Sequence, residues 1–423
     1  MATAFTDIHS DEAVAGLAAE IVTEGFAGAG SEPFSSEPAY EALVKAGSEL
    51  WLDTGAADAA RKVWAKELRG LTTNNTLINQ VVQTGLVDST VGTIAQRLKD
   101  GFPDMPENDR IQEAAFILNG RIALNLVETF GTKVSVELHP DFSHDWRTSV
   151  AFGKRYFALN PDHFIIKVPM TPDGFVAVRK LSDEGIPVNF TLGFSARQNY
   201  FAARFSRPQY VNVFLGRLSV MLKENDFASN DTAGEFVTLR SQEAIEGLRK
   251  SHNSPTRQIA ASIRSGEQVE SLAGVDVLTI PPKAAGEYLE RGTYKTSPIT
   301  RYSSSDFAVQ LTCDDQTKAH LSRLWDIPDE FCAFTDAAVT QVDSITEGYQ
   351  IIELAAEHGV KDFFRVWPEE DLREIRAQGK QPKYDHWRCC TAADEMMSVG
   401  ALQAFAVDQE DLDSRILRLM GPA

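Results

Sequence analysis

The distribution of apolar residues changes twice along the 423-residue chain. Residues 1–45 contain one short amphipathic stretch and a loop rich in glycine, serine and proline. Between residues 46 and 299, short β-branched apolar runs alternate with stretches of helical periodicity. Residues 300–423 keep the helical periodicity but lose the apolar runs. The pattern therefore predicts an N-terminal helix and loop, a central βα region, and a helical C-terminal extension.

The central region contains eight predicted strands. They are Glu49–Thr54, Gly70–Asn74, Val134–His139, Phe164–Pro169, Pro187–Phe194, Tyr210–Arg217, Gln258–Ser265 and Val275–Pro281. Helix starts lie between them, as at Thr171, which is an N-cap followed by proline at the first helical position. Strands that alternate with helices indicate parallel βα units, and eight such units close into a TIM (β/α)8 barrel.

The C-terminal extension reads as a set of separate amphipathic helices. They are predicted at Asp314–Leu324, Ser344–His358, Glu369–Gln378, Thr391–Phe405 and Gln409–Met420. Their apolar stripes need a surface to pack on. We expect that surface to be either the barrel or a neighbouring subunit, so a homodimer is one possible assembly.

The predicted strands are apolar on one face and polar on the other. Alternate residues of a barrel strand face the surrounding helices or the barrel interior. In Val134–His139 the valines share one face, which leaves Ser135 and Glu137 on the other, and Lys167 lies on the same inward parity of its strand. The other residues predicted to face inward are Trp51, Asp53, Thr72, Asn74, Asn189, Thr191, Asn212, Phe214, Ala260, Ser262 and Arg264.

A lysine, an aspartate and a glutamate are thus predicted to point into one barrel near the carboxyl ends of their strands, where barrel enzymes hold their chemistry. One interpretation is a structural ion network of Lys167 with Asp53 and Glu137. The other is catalysis: burial favours the neutral amine, which attacks a ketone to form a Schiff base, while a carboxylate moves protons. The shared polar parity of seven strands favours catalysis, which would need no metal or organic cofactor.

Composition narrows the function further. The net charge of −19 argues against nucleic acid and anionic membranes as partners, because both would be repelled. The N-terminus lacks the pattern of a signal peptide, and the four cysteines form no CxxC pair, which predicts reduced, mostly structural thiols and a cytoplasmic location. His386 lies near Cys389 and Cys390, but no fourth ligand is evident, so no metal site is predicted.

Seven segments, in chain order, resemble the strand motifs of the transaldolase family. They are Leu52-Asp53-Thr54, Gly70-Leu71-Thr72-Thr73-Asn74, Val134-Ser135-Val136-Glu137, Ile166-Lys167-Val168-Pro169, Asn189-Phe190-Thr191-Leu192, Phe214-Leu215-Gly216-Arg217 and Leu278-Thr279-Ile280-Pro281. The resemblance covers the whole predicted barrel. It implies transfer of a dihydroxyacetone unit from a ketose phosphate to an aldose phosphate, as in the pentose phosphate pathway.

The resemblance also implies roles for individual residues. Lys167 would form the Schiff base, Asp53 would shuttle protons, and Glu137 with Thr191 would position the catalytic water. The residues implied to bind substrate are Asn74, Asn212, Phe214, Arg217, Ser262 and Arg264, of which the two arginines would hold the phosphate.

Two positions depart from the family pattern. Asn75 stands where the family has proline, and Asn212 stands where it has a serine that contacts the phosphate. The asparagine at position 212 affects the expected phosphate site, and so the identity of the sugar substrate, more than it affects the expected Schiff base. Three readings therefore remain: a transaldolase, which could serve a specialised pathway; an aldolase of the fructose-6-phosphate aldolase type; and a barrel that serves only as a scaffold.

Overall fold

The computed structural model describes residues 11–31 and 33–420. Its eight parallel strands form a closed barrel in which each strand pairs with the next one in sequence and the last pairs with the first. They are β1 Glu49–Asp53, β2 Leu68–Thr72, β3 Lys133–Glu137, β4 Phe164–Pro169, β5 Val188–Thr191, β6 Tyr210–Phe214, β7 Arg257–Ala261 and β8 Val277–Ile280. The predicted TIM (β/α)8 barrel is therefore confirmed.

Helices surround the barrel and form the extension. They are α1 Glu12–Thr23, α2 Pro38–Lys45, α3 Ala57–Arg61, α4 Asn75–Gln83, α5 Asp88–Gly101, α6 Glu107–Phe130, α7 Trp146–Leu159, α8 Pro172–Asp183, α9 Ala196–Phe201, α10 Leu215–Glu224, α11 Ala233–His252, α12 Gly266–Ser271, α13 Pro282–Arg291, α14 Asp315–Leu321, α15 Asp329–Thr340, α16 Gly348–Glu357, α17 Glu369–Ala377, α18 Tyr384–Trp387 and α19 Ala393–Met420. Helix α15 was not predicted from the sequence. The proposed division at residues 45 and 299 stays a prediction.

Several strands end earlier than their apolar sequence suggested. Strand β2 ends at Thr72, and Asn74 caps α4, its Oδ1 accepting a hydrogen bond from Leu77 N at 2.8 Å. Strand β6 ends at Phe214, and Arg217 lies in the first turn of α10. The prediction that the strand continues to Arg217 is therefore wrong. These early ends place functional side chains on the loops and helix starts above the barrel.

The predicted inward parity of β7 is wrong at Ala260. The side chain of Gln258 contacts Asn199 and Ser241 on the surrounding helices, at 3.2 and 2.7 Å, so the even-numbered positions of this strand face outward. The cavity inside the barrel is lined instead by Ile259 and Ala261. Ser262 then adopts a φ of 64°, which ends the alternation and allows Ser262 and Arg264 to reach the cavity beyond the strand.

The last helix of the extension crosses the carboxyl-terminal end of the barrel. The two helices predicted at 391–405 and 409–420 form one 28-residue helix, α19, so the predicted break is wrong. Ser398 Oγ donates to the carbonyl of Leu192 after β5, at 2.8 Å. At its other end, Gln409 accepts from Asn75 Nδ2 after β2, at 2.7 Å. The extension thus packs on the barrel of its own chain.

The structure also bears on membrane-spanning helices, on the cysteines and on metal-ligand side chains. In residues 11–31 and 33–420, no helix combines the length and apolarity that a membrane span requires. The four cysteines are unpaired, and Cys389 and Cys390 are exposed instead of packed in the core. No group of three or more metal-ligand side chains occurs within the same described ranges.

Candidate active site

A cavity of about 360 Å³ opens at the carboxyl-terminal end of the barrel. Eight of the ten site residues predicted from the sequence line it: Asp53, Asn74, Lys167, Asn212, Phe214, Arg217, Ser262 and Arg264. The other two, Glu137 and Thr191, are buried at the carboxyl ends of β3 and β5. The fold therefore gathers residues from seven strands, or from the segments that follow them, around one chamber.

Lys167 lies at the base of this cavity and is 3% exposed. Its Nζ is 3.1 Å from Glu137 Oε2 and donates a hydrogen bond to the carbonyl of Thr73 at 3.0 Å. Glu137 and Lys167 are direct partners in the register of β3 and β4. Since paired residues of neighbouring strands point to the same face, this register holds the carboxylate beside the amine.

Two carboxyl groups flank the lysine, and both have raised pKa values. Burial raises the pKa of Glu137 and that of Asp53, while the charge of Lys167 partly opposes the shift in each case. Thr72 Oγ1 also donates to Asp53 Oδ1 at 2.7 Å. Carboxyl groups that bind protons more readily than in water can accept a proton from an amine and return it.

Glu137 and Thr191, which do not line the cavity themselves, have buried polar atoms without hydrogen-bond partners among the described residues. Apart from the ion pair with Lys167, neither carboxylate oxygen of Glu137 is hydrogen-bonded to a described residue. The buried hydroxyl of Thr191 likewise has no partner among the described residues. An unsatisfied buried polar atom costs roughly 1–3 kcal/mol, so such a group indicates a place where a bound molecule completes the hydrogen bonding.

Asn212 is committed to the barrel interior. Its Nδ2 donates to Asn189 Oδ1 at 3.0 Å and to the carbonyl of Phe190 at 3.2 Å, which uses both amide hydrogens. Asn189 in turn donates to Ser135 Oγ at 3.1 Å and lines the cavity. Asn212 therefore orients Asn189, a residue that the sequence placed inside the barrel but not in the site. The inward parity of Asn189 on its strand was the signal that could have identified it as a site residue.

Arg217 is a buried cation without a counter-ion. It is 7% exposed, forms no ion pair with a described carboxylate, and its Nη1 has no hydrogen-bond partner there. Burial, together with the nearby charge of Arg264, lowers the pKa of Arg217 to about 10. Because an unpaired buried charge is costly, this guanidinium is suited to binding an anion that enters the cavity.

Gly216 brings Arg264 close to the start of α10. A Cβ at this position would come within 2.1 Å of the Ser262 carbonyl oxygen and 2.9 Å of Arg264 Nε, so a larger residue could not fit. Phe214, the N-cap residue of α10, makes no side-chain capping bond. Open backbone N–H groups at a helix start favour anions. Two arginines and this helix start form a positive region at one side of the cavity.

Residues of the extension complete the cavity wall. Phe405 of α19 lies in it, with its ring centre 5.4 Å from the guanidinium carbon of Arg217, and so do Lys380 and Gln381 from the loop before α18. None of the three was predicted as a site residue. No strand or motif marks them, since the βα pattern ends well before residue 380.

Sequence comparisons connect this site with known proteins. Residues 50–324 match the family model described as transaldolase/fructose-6-phosphate aldolase. A transaldolase from Xanthomonas campestris is 29% identical over 307 residues, covering 68% of this chain and 92% of its own length.

Two further relatives are named probable transaldolases. The one from Thermus thermophilus is 33% identical over 236 residues, covering 55% of this chain and 86% of its own, and the one from Nitrosopumilus maritimus is 30% identical over 239 residues, covering 56% and 90%. The matched segment contains all eight strands apart from the first residue of β1. The chain belongs to the transaldolase/fructose-6-phosphate aldolase family.

Proposed function

We propose that this protein is a transaldolase that moves a dihydroxyacetone unit from a ketose phosphate to an aldose phosphate through a Schiff base on Lys167. The observation that carries the proposal is the position of Lys167. It is a buried amine at the base of a cavity, beside Glu137 and with Asp53 in the same cavity, and burial raises the pKa of both carboxyl groups. A purely structural ion pair would not need an open chamber above it.

The chemistry follows from the position of the groups. Glu137 takes a proton from Lys167, and the neutral amine attacks the ketose carbonyl to give a carbinolamine, which loses water to form the iminium. Asp53 then accepts the proton of the substrate hydroxyl as the carbon–carbon bond breaks, which releases an aldose and leaves an enamine on Lys167. The enamine adds to the carbonyl carbon of the acceptor aldose, and Asp53 returns its proton to the new alkoxide.

Hydrolysis of the new iminium requires a held water molecule. Glu137 Oε1 and Thr191 Oγ1, at the carboxyl ends of their strands, are buried oxygen atoms without hydrogen-bond partners among the described residues. We assign them to positioning this water, with Glu137 as the base that accepts its proton. The same two groups serve the forward dehydration, since the steps are the reverse of each other.

The positive region formed by Arg217 and Arg264 would hold the phosphate, and Asn74, Asn189 and Ser262 would contact hydroxyl groups. Phe214 also lines the cavity. Asn212 acts through Asn189, since its own amide hydrogens are occupied. Sugar phosphates of the pentose phosphate pathway fit this arrangement of charge.

The deciding assay compares product formation from a ketose phosphate with and without an aldose phosphate acceptor. A transaldolase turns over only with the acceptor, because the enamine needs an aldehyde to discharge. An aldolase of the fructose-6-phosphate aldolase type would release free dihydroxyacetone without an acceptor. Absence of turnover under both conditions would contradict the proposed function.

A further inference from the structure

The rim loop, residues 379–383 between α17 and α18, brings two polar side chains of the extension into the cavity. Lys380 and Gln381 line the same chamber as Lys167 and Arg264. The family match ends at residue 324, so the rim loop lies outside the part of the chain that resembles transaldolases.

The rim loop is held in place from both sides. Pro382 is buried against α19, where a Cβ added to Gly400 would come within 2.7 Å of the proline ring. Lys383 N donates to Gln378 Oε1 at 2.7 Å, and Lys383 Nζ donates to the carbonyl of Glu224, the last residue of α10, at 2.9 Å. These contacts fix the rim loop between the extension and the helix that carries Arg217.

The two side chains have unused binding capacity. Lys380 makes no ion pair or hydrogen bond with the described residues, although the chain has a net charge of −19. The Oε1 atom of Gln381 is buried and also has no partner among them. Four basic side chains line the cavity, namely Lys167, Arg217, Arg264 and Lys380, whereas Asp53 is the one acidic residue among the described residues that line it.

We propose that the rim loop forms part of the substrate site, in which Lys380 binds the phosphate of the sugar phosphate and Gln381 Oε1 accepts a hydrogen bond from a sugar hydroxyl. This inference rests on the proposed function for the identity of the substrate. It assigns the extension a function: residues from outside the barrel raise the preference for phosphorylated over free sugars. Electrostatic attraction of an anion requires such local positive charge, because the acidic surface elsewhere repels it.

The test compares Lys380→Met and Gln381→Leu with Lys361→Met, which removes an exposed lysine of the extension that does not line the cavity. We expect Lys380→Met to raise KM for a phosphorylated acceptor about tenfold, since a charge-assisted hydrogen bond is lost. With the ketose phosphate donor at saturation, the KM for unphosphorylated glyceraldehyde should rise far less, because this acceptor has no phosphate to bind Lys380. Gln381→Leu should raise the KM for the phosphorylated and the unphosphorylated acceptor by a similar factor, smaller than that for Lys380→Met.

A binding measurement separates this inference from the proposed function. Calorimetry with inorganic phosphate needs no turnover, and Lys380→Met should bind phosphate about tenfold more weakly than the parent and Lys361→Met. Weaker phosphate binding in a protein that transfers no dihydroxyacetone would support the rim loop as an anion site and contradict the transaldolase proposal. Equal phosphate affinity in all three proteins would overturn the inference, as would equal KM changes for phosphorylated and free acceptors.

Discussion

Two buried cation–carboxylate clusters of this protein differ in how many hydrogen bonds the carboxylate accepts. Inside the barrel, Lys167 pairs with Glu137 through one contact of 3.1 Å. Where α19 meets α9, Arg197 binds Asp394 through two hydrogen bonds of 2.7 and 2.8 Å, and Ser195 donates to the same carboxylate at 2.7 Å. All four charged side chains are at most 3% exposed.

The difference distinguishes a structural cluster from a reactive one. Arg197 also contacts Asp362 at 3.2 Å, so its charge is shared by two carboxylates, and it attaches the extension to the barrel. In the barrel cluster Lys167 lines an open cavity, while Glu137 and Thr191 have oxygen atoms without hydrogen-bond partners among the described residues. Burial alone therefore does not identify function; unsatisfied groups next to accessible space do.

The largest effect is expected for Lys167→Met. Loss of the nucleophile removes the covalent pathway, so kcat should fall by roughly 10⁴-fold or more. The variant should still fold, because buried Glu137, whose pKa burial already raises, takes up a proton once it has lost its ion pair with Lys167. Steady-state kinetics and thermal unfolding measure both. Lys154→Met, at a surface ion pair with Glu184, is the control and should keep full activity. Comparable activity in both variants would remove Lys167 from the mechanism.

Asp394→Asn should have the opposite outcome and chiefly affect folding. The substitution removes the negative charge that pairs with buried Arg197 and should lower the free energy of unfolding by roughly 3–5 kcal/mol. The matched control is Asp336→Asn, at an ion pair with Arg204 in which the carboxylate is 63% exposed, where the loss should be below about 1 kcal/mol. Urea denaturation distinguishes them. Equal losses would mean that the Arg197 cluster does not hold the extension.

Arg217→Met tests whether an unpaired cation serves binding and not folding. We expect KM for a phosphorylated substrate to rise about 100-fold, because a charged hydrogen-bond donor is lost. The midpoint of thermal unfolding should be equal to or above that of the parent, since the buried charge forms no ion pair with a described carboxylate. The exposed Arg69 offers the control Arg69→Met. A stability loss with unchanged KM would contradict the anion-site assignment.

The smallest effect concerns pH and Glu395, the neighbour of Asp394. Burial raises the pKa of Glu395 from 4.5 to about 8, while Trp367 Nε1 donates to its Oε1 at 3.0 Å. A raised pKa means that the folded state holds the proton more tightly, so stability falls as pH rises from about 4.5 to about 8.

Between pH 5 and pH 6.5, Glu395→Gln should therefore gain about 2 kcal/mol in the free energy of unfolding relative to the parent, since each pH unit between the two pKa values is worth about 1.4 kcal/mol. The amide keeps the acceptor oxygen but cannot ionise. Unfolding free energies at both pH values check this. A parallel loss of stability with pH in the two proteins would show that another group dominates.

The barrel and most of its site could be predicted from the sequence because alternation is strong there. Glu137 and Lys167 each follow apolar neighbours of fixed parity, and that parity survives in the register of β3 and β4. Ala260 could not be placed, because the segment Ile259-Ala260-Ala261-Ser262-Ile263 lacks alternation of polar and apolar residues. Similarly, apolar residues continue from β6 into α10, so the sequence did not show that a helix begins before Arg217.

The contribution of the extension was beyond sequence reasoning for a different reason. Helical periodicity predicts which face of a segment is buried, but it does not say which surface covers that face. The path of α19 across the barrel depends on long-range hydrogen bonds such as those of Ser398 and Gln409. Lys380 and Gln381 reach the cavity only because that path and the rim loop bring them there.

Reductive trapping tests the central claim most directly. Incubation of the protein with a ketose phosphate and sodium borohydride should convert the iminium into a stable secondary amine. Peptide mapping by mass spectrometry should then find the added substrate carbon on the peptide that contains Lys167, and Lys167→Met should carry none. Failure to trap an adduct at Lys167 under conditions where the protein turns over substrate would contradict the Schiff-base account.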